Sequence, residues 1–187
     1  SVGGSVAYNH IYGVTEGSVT DSSLQNITKL TIDGYNDSEI RSIAADGAGG
    51  SEGAVAGSAT ANFIGNYTIA GMDTSAITGG KADVAITAQN ESTIDSLAGA
   101  AGAAQYAGVG AASAVNDIAN ETDAYLIGGY TGKEYNLENL LITSNSGGSI
   151  RTLAAGIAGS EYVGVAGSTA TNFMDNKTRA YIIAGAR

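Results

Sequence analysis

Apolar and polar positions alternate along much of this chain, as in Val84–Ile86, Ile94–Leu97 and Leu141–Thr143. A period of two residues predicts strands with one face packed and one face wet. No segment holds a 3.6-residue apolar period between helix caps. Leu97 to Ala114 is rich in alanine, a strong helix former. Gly99, Gly102, Gly108 and Gly110 interrupt it, and its register matches strand-like segments elsewhere in the chain. The pattern predicts an all-β protein.

Those segments repeat. VAGSTATNFMDNKTRAYI at Val165 to Ile182 has sisters at Val2 to Val19, Val55 to Met72 and Val109 to Leu126. One asparagine recurs as Asn9, Asn62, Asn116 and Asn172, at spacings of 53, 54 and 56 residues. A threonine six residues later keeps step as Thr15, Thr68, Thr122 and Thr178. A second half-unit lies between the copies, anchored at Ile40, Ile94 and Ile150 with spacings of 54 and 56 residues. Two anchors that drift together mark a structural repeat. The copies run near 2–54, 55–108, 109–164 and, in part, 165–187 of a single domain. A chain that begins and ends in mid-repeat reads as a piece of a longer one.

Strand-rich repeats without hairpin turns stack on one another. The expected architecture is a parallel β-helix with two coils of about 27 residues per ~54-residue repeat. Seven coils about 4.8 Å apart would make a rod of roughly 30–35 Å. Valine, serine and alanine of the long strand are expected inside, with the Asn and Thr rows as corner fittings.

Composition fits a stack of closely approaching backbones. The 187 residues include 28 Gly and no Pro, Cys or Trp. Without cysteine there is no disulfide framework and no thiolate metal site. The net charge is −10, and the eight bases are scattered, which argues against nucleic acid as a partner. No apolar run is long enough to span a bilayer.

Chemistry-bearing candidates are sparse. Six Asn-x-Ser/Thr sequons occur, three of them at one equivalent position: Asn66, Asn120 and Asn176. These are candidate glycosylation sites. Asp33, Asn36 and Asp37 form a compact acidic turn that is a weak Ca²⁺ candidate, and no other metal site is indicated. His10 is the only histidine and has no elbow motif beside it. No catalytic residue and no cofactor is assigned, and the chain reads as a non-enzyme. The tyrosine pairs Tyr106/Tyr162 and Tyr125/Tyr181 sit at equivalent positions, as candidate contacts for a partner. The threonine row is too sparse for an ice-binding array.

The cadence VAGSTATNFMDNKTRAYI, with DVAITAQNESTIDSLAG in another copy, resembles the repeats of large secreted bacterial exoproteins. These are the leukotoxin-type and filamentous-haemagglutinin-like passengers exported by type V systems, autotransporter or two-partner. The resemblance covers essentially the whole chain. It departs at Gly71 and Ser18, which stand where the later copies have tyrosine. It implies a right-handed parallel β-helix that is secreted or held on the cell surface. It also implies a structural or adhesive role, with a host-cell surface protein, a glycan or other copies of itself as partner. Two alternatives stay open: a self-assembling extracellular filament subunit, and a carbohydrate-active enzyme on a β-helix.

Overall fold

A computed structural model describes residues 1–128 and 135–183. The described residues form strands and short connections, with no helix. Eleven strands build two sheets. The first sheet takes β1 (Val2–Thr20), β4 (Gly53–Asp73), β6 (Ala107–Ile118), β7 (Glu121–Ile127), β10 (Val163–Met174) and β11 (Lys177–Ile183). The second takes β2 (Ser23–Gln25), β3 (Lys29–Gly50), β5 (Ala76–Ala104), β8 (Tyr135–Ser146) and β9 (Ser149–Gly159). Every pairing is parallel. Leu97 to Ala114, where composition and glycine pattern pulled in opposite directions, lies in β5 and β6.

The register is that of the sequence repeat. Val2 stands beside Val55, Val55 beside Val109, and Val109 beside Val165. Ile40, Ile94 and Ile150 stand side by side in the second sheet. Each repeat therefore lays one rung in each sheet, and neighbouring rungs are a whole repeat apart. This corrects the expected two coils of about 27 residues per repeat and the total of about seven. In β4 and β5 the chain runs on as one long strand, and where it breaks, as between β6 and β7, both pieces stay on the same neighbouring strand, so no extra coil is made. The first sheet has four rungs, which at about 4.8 Å spacing cover roughly 14 Å rather than 30–35 Å.

The inner faces of the two sheets pack together, and the interior is banded along the strands. At one end Ala56, Ala98, Ala100, Ala112 and Ala114 form an alanine cluster. At the other, Met72, Ile77, Val84, Ile86 and Leu126 form a thicker aliphatic core. Between them an isoleucine band joins Ile40, Ile64, Ile94 and Ile118. The alanine end is narrow because the sheets nearly touch: a Cβ on Gly102 would collide with the Val109 carbonyl, and one on Gly110 with the Ile157 carbonyl. Only glycine allows that approach.

The valine row faces outward, with Val2 83% and Val55 44% exposed, which corrects its expected interior place. Val55 lies seven residues before Asn62. An odd separation in a strand puts two side chains on opposite faces.

Candidate functional site

The most repeated polar feature is buried. Asn9 donates its Nδ2 to Asn62 Oδ1 (2.9 Å), Asn62 to Asn116 (2.7 Å), and Asn116 to Asn172 (2.9 Å). Asn62 and Asn116 are 0% exposed. The second sheet closes the network. Asn62 Nδ2 also donates to Ser42 Oγ at 2.8 Å, and Asn116 Nδ2 to Thr152 Oγ1 at 2.8 Å. Both amide hydrogens are thus used, one along the stack and one across it. Buried polar groups at such positions are costly unless paired, and here they are paired. The Asn row is structural, as its repetition suggested, but it lies in mid-strand and not at a corner.

A second row lies four residues on. Asn120 Oδ1 accepts from the Asn66 backbone N–H (3.1 Å), and Asn176 Oδ1 from that of Asn120 (3.2 Å). Their Nδ2 atoms reach across the sheets: Asn66 donates to Ser38 Oγ (2.9 Å) and Asn120 to Ser92 Oγ (3.0 Å). Asn66 and Asn120 are each 2% exposed. The nitrogen that would carry a glycan is buried and already donating, so glycosylation of Asn66 and Asn120 is incompatible with this packing. Asn176 is half-buried in the same row.

The threonine row joins the interior as well. Asn36 Nδ2 donates to Thr15 Oγ1 (3.2 Å) and Asn90 Nδ2 to Thr68 Oγ1 (3.1 Å). In the next rung the partner of Asn90 is Ser146, whose shorter side chain leaves its own Oγ and Thr122 Oγ1 buried without a hydrogen bond. Thr178 pairs with Thr122 in the ladder.

The calcium candidate does not assemble. Asp33, Asn36 and Asp37 lie inside β3, with Asp33 and Asp37 exposed on its outer face. Asn36 turns inward, where it also accepts from Ser38 Oγ (3.0 Å). Alternation separates residues expected to converge in a turn.

The tyrosine pairs do come together. Tyr106 and Tyr162 stack with centroids 5.3 Å apart, and Tyr125 and Tyr181 with centroids 5.7 Å apart. The first pair is exposed at the connection between sheets. In the second, the Tyr125 ring lies over Gly71, its register partner. The departure from the repeat at Gly71 makes room for that ring. Burial raises the Tyr125 phenol, with Glu16 and Asp73 adding to it.

Two features lie on the outer face of the first sheet. One is an ion cluster. Arg179 grips Asp123 with two bonds of 2.7 Å and also meets Glu121, while Tyr67 donates its hydroxyl to Asp123 Oδ2 at 2.9 Å. Asp123 is 2% exposed, and the Arg179 hydrogen bond holds its carboxyl below the usual range. Tyr67 is pushed up to about 12, first by burial and then by its bond to Asp123. The signal was available, since Asp123 and Arg179 are equivalent positions of opposite charge.

The other is a concentration of aromatic rings. Tyr8 packs on Phe63 (5.8 Å, tilted), and His10 meets Phe63 edge-on (6.3 Å). Tyr12 is 73% exposed. Beside it a depression of ≈ 270 Å³ is lined by Tyr12, Gly65, Tyr67, Ala119 and Glu121. Against known protein families, curated proteins and solved structures, the chain has no match.

Proposed function

We propose that this chain is a shaft segment of a secreted or cell-surface bacterial exoprotein, of the leukotoxin or filamentous-haemagglutinin type. It acts by displaying side chains to a protein or glycan partner and not by catalysis. In this reading the two sheets are successive faces of a right-handed parallel β-helix, with one coil per ~54-residue repeat. The right hand follows from the strong preference of parallel crossover connections.

The observation that carries the reading is the common register of the two sheets. A whole repeat separates neighbouring rungs in both, and identical inner side chains lie over one another, as in the Asn9–Asn62–Asn116–Asn172 row. Such a unit grows by adding rungs, each covering the face that the last one exposes. Its surface is a regular lattice on which outward residues vary between copies: His10, Phe63, Asp117 and Phe173 occupy one row.

The test is attachment. Folded chain coated on a surface is expected to retain host cells, and heat-denatured chain is not. Equal retention on both surfaces, or none on the folded one, would count against the adhesive reading.

A further inference from the structure

We infer that the outer aromatic face of the first sheet is a docking surface for a cationic amino-sugar polymer, with the depression beside Tyr12 seating a sugar ring. The inference rests on the display reading above and names the face and the partner class.

Aromatic side chains are distributed unusually. The chain has ten Tyr and two Phe. The described interior holds one of them, Tyr135, 5% exposed, whose hydroxyl donates to the Ile127 carbonyl at 2.9 Å. Aromatic rings ordinarily dominate core packing. Here alanine, isoleucine and asparagine fill the interior, and Tyr8, Tyr12, Phe63, Tyr67 and Phe173 gather on one outer face. Exposed clusters of this kind mark interaction surfaces.

The relief of the face follows from the register. The row Tyr12–Gly65 lies between the row His10–Phe63–Asp117–Phe173 and the row Val14–Tyr67–Glu121–Lys177. Gly65 and Ala119 leave a bare floor, Tyr12 closes one end, and Tyr67 and Glu121 form a wall. The two flanking rows are four residues apart, roughly 13 Å along the strand. That spacing suits a pyranose ring lying flat between them.

Charge selects the partner. Arg179 is taken by Glu121 and the buried Asp123, which leaves Glu16 and Asp117 against Lys177 on this face, within a chain of net charge −10. Asp117 stands between Phe63 and Phe173 in its row and forms no ion pair among the described residues. An anionic glycan would be repelled, whereas an ammonium group gains both the carboxylates and the aromatic ring faces.

Chemistry also favours a sugar over a peptide. The ladder engages both sides of β4, β6 and β7, so a peptide could augment only the outer edges of β1, β10 and β11 and not the floor of the depression. Ring faces and short carboxylates remain, which suit the C–H face and amino groups of glucosamine units.

The test is binding of soluble oligomers to the whole chain. A glucosamine hexamer is expected to bind, while its fully N-acetylated counterpart and a hyaluronan oligomer bind at least about tenfold more weakly. Tyr12→Ala and Asp117→Asn are each expected to weaken binding about tenfold, and Tyr12→Phe to retain it. Thermal unfolding of each variant checks the fold, and Tyr12, being exposed, is expected to leave it unchanged. No binding, equal binding of the acetylated hexamer, equal binding of oligolysine, or full binding by folded Tyr12→Ala would each overturn the inference. Cell attachment is measured on the same preparations. Attachment that persists without hexamer binding removes this inference and leaves the display reading, hexamer binding without attachment removes the host-cell reading and leaves the binding face, and absence of both removes both.

Discussion

Asn62 donates its side-chain amide to Asn116 across 2.7 Å, and neither residue has any solvent exposure. The contact bridges 54 residues of sequence and repeats on either side. It makes each rung a template for the next. A one-residue slip would turn the asparagines out to solvent and leave their partners unpaired.

Removing one member is therefore expensive. Asn116→Ala strands a hydrogen on Asn62 and acceptor capacity on Asn172, and empties the site beside Thr152. We expect a loss of about 3 kcal/mol. Urea denaturation followed by circular dichroism measures it, and a loss below about 1 kcal/mol would show that the ladder contributes little.

The third rung has an imperfection that substitution can mend. Ser146 stands where the preceding rung has Asn90, and both Ser146 Oγ and Thr122 Oγ1 lack partners. Ser146→Asn restores the reach by which Asn90 bonds Thr68. The expected gain is about 1 kcal/mol. Thermal unfolding checks it, and a lower midpoint for the variant would contradict the account.

Gly71 and Tyr125 are coupled. A Cβ on Gly71 would strike the Tyr125 ring, so Gly71→Ala displaces that ring from its stack with Tyr181. The single variant is expected to lose about 1 kcal/mol, and to lose nothing in a Tyr125→Ala background. A double-mutant cycle with no coupling would refute the pairing.

Two groups set opposite pH limits on the same cluster. The Asp123 carboxyl is lowered in the fold, so its stabilisation is present above the ordinary carboxylate range and is lost as pH falls through the folded value. The Tyr67 phenol is raised from 10.0 to about 12, so its stabilisation is full below 10.0 and is lost as pH climbs towards 12. Stability measured across pH should decline at both ends. Tyr67→Phe should flatten the alkaline limb, and Arg179→Ala should weaken the acid limb.

Parity explains much of what was legible and what was misread. Thr68 lies six residues after Asn62 and Asn66 lies four after it, so all three share the inner face. The same count rules out sugar on Asn66 and Asn120 in the folded chain. Taking the Asn segment as a turn hid this, because turns obey no alternation. β4 runs unbroken from Gly53 to Asp73. His10 and Phe63 are equivalent repeat positions and were legible as one variable row, whereas Tyr8 packs on Phe63 from the neighbouring row.

What the sequence determined by itself was the repeat, the alternation and hence the strands, since both arise from local side-chain direction and recur at fixed spacing. It also set the pairing register, because equal spacing of two anchors admits one alignment. Only the tertiary structure decided how much chain makes one rung. Alternation records which face a residue takes and not where the chain turns. It likewise decided which rows are buried, since burial depends on the second sheet that lies across the Asn and Ser rows. The pairing of Asp123 with Arg179 was implicit in that register, whereas the burial of Asp123 and its meeting with Tyr67 came only with the packing.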